Sequence, residues 1–181
     1  MNIADEGMQY KSQLYELYEM AFPEQEKKPL HVMEQLVEDG KMEMLAMVDG
    51  NEFVGLAINM LSGNCALLDY YAIIPEKRSG GYGSKGLEVL LVHFKNQKYI
   101  FEIEIQDEQA DNAQERKRRK AFYLRNGLKE TGLFANVYDT DFEILTPDGK
   151  LTFQEYVDFL REVLGEEYVQ FLNPTLLSET K

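Results

Sequence analysis

The segment from Pro75 to Phe94, PEKRSGGYGSKGLEVLLVHF, constrains the fold of this chain more than any other stretch. It places four glycines within seven residues, where an apolar run of helical period begins. Glycine weakens regular elements, but it lets another group come close to the backbone. The first amides of a helix have no partner within the helix, and they carry the positive end of its dipole. The segment therefore predicts an anion site at the start of a helix, with a phosphate group as its ligand.

The rest of the chain predicts helices that flank a sheet. Helical spacing of apolar residues predicts helices over Ser12–Phe22, Val32–Glu38, Asn112–Asn126 and Thr152–Leu164. Strands are predicted over Met42–Val48, Phe53–Met60, Ala66–Ile74, Tyr99–Ile105, Thr131–Tyr138 and Phe142–Leu145. The fold class is therefore α/β or α+β with a mixed sheet. We expect a single domain over residues 1–181, with a core over about 12–147 and a C-terminal helix and tail over 148–181.

Composition and charge favour a soluble cytoplasmic protein. The net charge of −13 argues against nucleic acid and anionic membranes as partners. No apolar run reaches the ~18 residues of a membrane span, and the N-terminus lacks the apolar stretch of a secretory signal. Cys65 is the only cysteine, which excludes an intramolecular disulfide and fits a reducing compartment.

Three known phosphate-binding patterns can be compared with the glycine segment. A P-loop is excluded because no Gly-Lys-Ser/Thr sequence occurs. The dinucleotide pattern G-x-G-x-x-G does fit Gly81, Gly83 and Gly86, and Glu102 and Glu104 lie near the expected acidic position. That pattern normally follows the first strand of a βαβ series, however, and here it follows an apparent antiparallel meander. A dinucleotide-binding enzyme therefore stays an alternative.

The third pattern, Arg/Gln-x-x-Gly-x-Gly/Ala, is matched by Arg78, Gly81 and Gly83. A second stretch, KAFYLRNGLKETG, places Tyr123 near the end of a predicted helix and Gly127 in the turn that follows it. In these features the chain resembles the GNAT family, the GCN5-related N-acetyltransferases, over roughly residues 14–145.

The chain departs from the family pattern at three places, one of which is Leu128, where the family usually has an aromatic residue. The N-terminal sequence MNIADEGMQY reads poorly as the strand that usually opens the fold. Arg116 stands where many members have an asparagine, and Asn112 lies earlier. The expectations for the cofactor contacts near this helix depend on how these residues are arranged.

The resemblance implies that the chain binds acetyl-CoA as an acyl donor and needs no metal. It implies a mostly antiparallel sheet, a pyrophosphate held by the glycine loop, and a pantetheine arm paired with the preceding strand. The cofactor-binding residues expected on this basis are Ala72, Ile73, Ile74, Arg78, Ser79, Gly80, Gly81, Tyr82, Gly83, Ser84 and Arg116. Lys117 and Arg119 would lie with Arg116 near the adenosine phosphate, although the same basic run also fits a solvated helix face.

The resemblance also implies direct attack of an amine on the thioester, which needs a proton donor for the thiolate and a route for the amine proton. Tyr123 is the candidate general acid, and the competing interpretation is a packed tyrosine. Glu104 is the first candidate for the general base, followed by Asp69 and Glu102, with a water chain as a further option. The same carboxylates could instead bind a cationic amine.

Metal binding is not expected from the sequence. The stretch DGKLTFQEYVDFL imitates half of a calcium-binding loop, but Ile144 and Thr146 fall where carboxylates are needed. Thr152 and Glu155 are better explained as a helix capping box. His31 and His93 have no cysteine at ligand spacing.

We therefore expect an N-acetyltransferase that acts on an amine of a small molecule, as a monomer or homodimer. A peptide amine remains an open alternative for the acceptor. A non-catalytic acyl-CoA-binding module is the alternative function from a different class.

Overall fold

The computed structural model describes residues 1–5 and 9–177, which fall into two compact units. The first unit comprises Met1–Leu61 and Leu68–Asn96, and the second comprises Ser62–Leu67 and the chain from Gln97 onward. Helices accompany mostly antiparallel strands, so the predicted α/β class and GNAT-like architecture are confirmed. The expectation of a single domain stays a prediction.

Four strands lie wholly or mostly in the first unit, in the order β1-β2-β3-β4. Its elements are β1 (Asn2–Asp5), α1 (Lys11–Ala21), α2 (Leu30–Glu38), β2 (Met42–Asp49), β3 (Glu52–Ser62), β4 (Cys65–Ile73) and α3 (Tyr82–His93). Strand β3 carries eight consecutive buried residues, so both of its faces are covered. The apolar run that predicted this strand is thus typical of a central strand. A hairpin turn at Asp49-Gly50 joins it to β2.

Strand β1 corrects one expectation from the sequence. The sequence does not predict a strand at the N-terminus, yet Asn2–Asp5 pair antiparallel with β2. Asn2 lies opposite Val48, and Ile3 lies opposite Met47. Residues 6–8 of the same stretch lie outside the described residues. Pairing with a buried neighbouring strand outweighs the weak local propensity of this segment.

The second unit holds four strands in the order β5-β7-β6-β8. Its elements are β5 (Lys98–Glu104), α4 (Ala113–Arg125), β6 (Lys129–Val137), β7 (Thr140–Thr146), α5 (Phe153–Leu164), α6 (Glu166–Leu172) and β8 (Thr175–Leu176). The last two elements were not predicted. Thr152 and Glu155 form the expected capping box at the start of α5.

No helix within the described ranges has the length and apolar character that a membrane crossing requires.

Candidate functional site

The predicted glycine loop connects β4 to α3 in the first unit. After β4 the chain makes a short 3-10 turn over Pro75–Lys77, and then Ser79 takes a left-handed conformation with φ of 65°. Gly81 is the N-cap of α3 with φ of 78°, a conformation that costs glycine little. Residues 78–81 are exposed, and the first amides of α3 have no partner within the helix. The loop therefore has the features of an open anion site.

Two hydrogen bonds and one close approach of the backbone hold the first turns of α3 against the strands of the first unit. The Tyr71 hydroxyl on β4 donates to the Gly83 carbonyl at 2.6 Å, and the Tyr82 hydroxyl donates to Asp49 Oδ2 at 3.0 Å. A Cβ at Gly86 would lie 2.5 Å from the Tyr71 hydroxyl oxygen and 2.6 Å from Met47 Sδ. Gly86, the last glycine of the G-x-G-x-x-G pattern, is thus required for close packing. Tyr71 is a supporting residue that sequence reasoning missed.

Two lysines add positive charge beside the loop. The ammonium groups of Lys77 and Lys85 lie 5.7 Å and 5.2 Å from the centroid of the Tyr82 ring. Lys77 also bonds to Glu52 at 2.8 Å, which offsets part of its charge. The surroundings of the α3 N-terminus therefore favour an anion, although the whole chain is acidic.

The end of β4 has backbone groups on two sides. The Ile74 amide donates to the Val54 carbonyl of β3 at 3.1 Å, so it is engaged within the first unit. Because strand carbonyls alternate in direction, the Ile73 carbonyl points away from β3, and there it accepts from Arg78 Nε at 3.1 Å. Ile73, rather than Ile74, thus offers backbone groups that an added extended ligand could use.

Asp69 forms the best-defined ion pair of β4. Lys28 Nζ lies 2.9 Å from Oδ1 and 2.8 Å from Oδ2 of Asp69, whose side chain is 13% exposed. The same ammonium lies 5.2 Å from the centroid of the Tyr70 ring. Asp69 and Tyr71 are two residues apart on one strand, so their side chains share a face of β4. The carboxylate therefore already holds an alkylammonium group on the face that carries the loop-supporting tyrosine.

Glu104 lies in a cluster of cations in the second unit. Its Oε1 contacts Arg116 Nη2 at 2.8 Å, and its Oε2 contacts Arg119 Nη1 at 3.0 Å. Arg116 also donates to Asn112 Oδ1 at 2.7 Å and to the Ile105 carbonyl at 3.0 Å. The structure thus brings Glu104, Arg116 and Arg119 together, and it ties the start of α4 to the end of β5. These contacts occupy donors of Arg116 that the expected role near the cofactor would need.

Tyr123 packs against aromatic rings in the second unit. Its ring centroid lies 5.4 Å from that of Phe101 and 5.3 Å from that of Phe122. Burial raises its pKa to about 12, opposed by the nearby charge of Arg119. Within residues 1–5 and 9–177, its hydroxyl has no hydrogen-bond partner. The hydroxyl therefore stays protonated at neutral pH and is available as a donor.

Other candidates from the sequence have structural partners. Glu102 accepts a hydrogen bond from the buried Tyr156 hydroxyl of α5. Cys65 is the first residue of β4, and burial raises the pKa of its thiol, which disfavours a nucleophilic role.

Among the residues that the structure describes, no group of three or more metal-ligating side chains comes together.

Comparisons with known proteins agree with the fold. The model of the family described as "Acetyltransferase (GNAT) family" matches residues 11–127. A search of curated proteins found no match.

Solved structures of acetyltransferases share the fold of this chain. A putative GNAT acetyltransferase from Bacteroides thetaiotaomicron is 20% identical, with a TM-score of 0.73, and the match covers 92% of this chain and 99% of that one. An aminoglycoside 6'-N-acetyltransferase complexed with coenzyme A is 18% identical, with a TM-score of 0.58, and the match covers 81% of this chain and 96% of that one. The ribosomal-protein-S18-alanine N-acetyltransferase from Escherichia coli is 16% identical (TM-score 0.58; 83% and 95% covered). On the family match over most of its length, this chain belongs to the GNAT acetyltransferase family.

Proposed function

We propose that this protein transfers the acetyl group of acetyl-CoA to a primary amine of a small molecule. The observation that carries the proposal is the exposed N-terminus of α3, capped by a left-handed Gly81 and flanked by Arg78. The family match and the coenzyme A bound to a relative of the same fold support the choice of ligand.

The residues of the loop fit a diphosphate. Among the residues that the structure describes, and apart from Gly81 and its chain neighbours, no heavy atom lies within 4 Å of the position that a Cβ of Gly81 would take, so the backbone there is open to a ligand. The amides at the start of α3 would donate to phosphate oxygens, and Arg78 would supply a charged donor. Ser79, Gly80, Tyr82, Gly83 and Ser84 belong to this proposed site through their backbone.

The end of β4 fits an extended amide-containing arm. The backbone amide and carbonyl of Ile73 point away from β3, so they could form hydrogen bonds with an added strand-like ligand. Ala72 and Ile74 would contribute through the same stretch, although the Ile74 amide is engaged by Val54. Arg78 would have to leave the Ile73 carbonyl when it turns to a phosphate.

Asp69 is our proposed recognition group for the acceptor amine. It binds the Lys28 ammonium through both oxygens, which supports recognition of another alkylammonium group. A carboxylate beside the amine could also accept its proton. Glu104 is the weaker candidate for the base because both of its oxygens contact guanidinium groups.

Acetyl-CoA, when bound, supplies the thioester that the neutral amine attacks. We retain Tyr123 as the proposed donor of a proton to the departing thiolate, on the basis of the family resemblance and its available hydroxyl. Arg116 is retained as a proposed cofactor contact only through its free donors, because Glu104, Asn112 and Ile105 engage the others.

Release of free thiol from acetyl-CoA in the presence of amines tests the proposal. The panel contains linear diamines, aminoglycosides and lysine-containing peptides, with mass spectrometry of the products. We expect small amines to be acetylated and Asp69→Asn to lose at least ~10-fold in kcat/KM for them. Tight binding of coenzyme A without turnover on any amine would favour the non-catalytic binding module, and turnover on peptides alone would exclude the small-molecule acceptor.

A further inference from the structure

The ammonium group of Lys28 is bound to the Asp69 carboxylate, which the proposed function assigns to the acceptor amine. Its ammonium contacts both oxygens of Asp69, and the side chain of Lys28 is 26% exposed while that of Asp69 is 13% exposed. The ammonium also lies over the ring of Tyr70 at 5.2 Å, where a cation is favoured. The site therefore contains a linear primary ammonium from the chain itself.

The backbone of Lys28 is held independently of its side chain. The Tyr18 hydroxyl donates to the Lys28 carbonyl at 2.9 Å, and the Lys28 amide donates to the Tyr70 hydroxyl at 3.1 Å. The Tyr70 hydroxyl in turn donates to the Glu26 carbonyl at 2.7 Å. These contacts secure the connection between α1 and α2 whether or not the ammonium stays on Asp69. The side chain could thus leave Asp69 by rotamer changes alone, without unfolding the connection.

We propose that Lys28 is a specificity-determining residue that competes with the acceptor amine for Asp69. This inference rests on the proposed function, and it adds the class of acceptor and the way it gains access. An acceptor must bring its own linear alkylammonium group to Asp69 and Tyr70, because that is the chemical group they hold in the free protein. Neutral alcohols and aromatic amines, which are uncharged at neutral pH, would not displace Lys28.

Competition by an internal group has a defined effect on binding. When only a fraction of the protein has Asp69 vacated, the apparent association constant for an acceptor equals the intrinsic constant multiplied by that fraction. Removal of the Lys28 charge should therefore strengthen acceptor binding, whereas removal of an ordinary structural ion pair would weaken it or leave it unchanged. A competing role for Lys28 thus predicts a gain in acceptor affinity when its charge is removed, whereas a purely structural role predicts a loss or no change.

The test uses Lys28→Met with 1,5-diaminopentane as the acceptor probe. We expect its KM to fall by about 10-fold, with kcat within about 2-fold and the KM for acetyl-CoA unchanged. Calorimetric titration of the diamine into the protein without acetyl-CoA should show the same gain in affinity. Lys28→Gln provides a second neutral variant if Lys28→Met does not fold.

Lys27→Met is the matched control, because Lys27 lies in the same connection but pairs with Glu19 and Glu24. It should leave the diamine KM unchanged. An unchanged or higher KM in the folded Lys28 variants would overturn the inference. If Asp69→Asn also had no effect on acceptor kinetics, the role of Asp69 in the proposed function would fail as well, so the two failures can be told apart.

Discussion

The hydroxyl of Tyr71 is bonded to the carbonyl of Gly83, at 2.6 Å, and this contact ties the second residue of α3 to β4. Gly86 completes the arrangement one turn later, because a Cβ there would collide with the same hydroxyl. The direction of the α3 amides, and hence of the proposed phosphate site, depends on this contact.

Tyr71→Phe should therefore weaken cofactor binding while keeping the fold. One neutral hydrogen bond contributes about 1 kcal/mol, so we expect coenzyme A to bind about 5-fold more weakly by calorimetry. The affinity for pantetheine, which lacks the diphosphate, should not change. Equal weakening for both ligands would assign Tyr71 a general packing role instead.

Tyr123→Phe tests the proposed proton donor. The variant should bind coenzyme A normally, since the ring is retained, while kcat falls by about 100-fold. The pKa of about 12 also predicts that the wild-type rate shows no loss from ionisation of Tyr123 up to about pH 10. Tyr138→Phe, at a side chain that is 59% exposed, is the control and should keep full activity. Full activity of Tyr123→Phe would return Tyr123 to a packing role.

Lys120 stabilises the second unit through a buried carboxylate. Its ammonium lies 2.9 Å from both oxygens of Glu143, whose side chain is 2% exposed, and 2.6 Å from Glu130. Lys120→Met would leave the Glu143 charge unpaired, at a cost of about 3–5 kcal/mol in the free energy of unfolding by urea. Glu130→Gln removes an exposed partner and should cost at most about 1 kcal/mol. Similar losses for both variants would contradict this assignment.

The capping box of α5 predicts a loss of stability in acid. A hydrogen bond from Lys98 at 2.6 Å, with others from the Thr152 amide and hydroxyl at 2.8 Å, lowers the pKa of Glu155 to about 2. A lowered pKa means that the stabilisation is present above about pH 4.5 and disappears as the pH falls toward 2. The difference in unfolding free energy between wild type and Glu155→Gln should shrink over that range. A constant difference would show that the charge of Glu155 does not contribute, and Glu167→Gln serves as the exposed control.

Local patterns predicted most of the fold because the chain follows them closely. The ends of the predicted helices Ser12–Phe22 and Asn112–Asn126 and of the strand Ala66–Ile74 each lie within one residue of the observed ends. Gly127, which follows α4 in a left-handed conformation, is the residue type that helix ends favour. Strand β1 could not be predicted, since its pairing partner β2 is distant in sequence.

The side-chain partners within the candidate site could not be predicted, for the same reason. Lys28 and Asp69 are 41 residues apart, and nothing near Lys28 in the sequence marks it as a partner of a strand carboxylate. Glu104 was the first candidate for the base because it lies with Glu102 on one face of a strand whose other face is apolar, a pattern that ion pairing with Arg116 also explains. Periodicity places a residue on a face, but it does not identify the side chain opposite.

The most direct test of the central claim is a calorimetric titration of coenzyme A into wild type, Gly81→Val and Gly40→Val. Gly40 is a matched control, because it has a φ of 68° and an equally open Cβ position but lies between α2 and β2. We predict saturable binding to wild type and Gly40→Val. Loss of about two charged hydrogen bonds should weaken binding to Gly81→Val by about 100-fold or more, while the strain of a valine at a positive φ should lower the melting temperature of Gly81→Val and Gly40→Val by similar amounts. Equal affinity in a folded Gly81→Val protein, or no binding to wild type, would contradict the claim that the start of α3 holds the diphosphate.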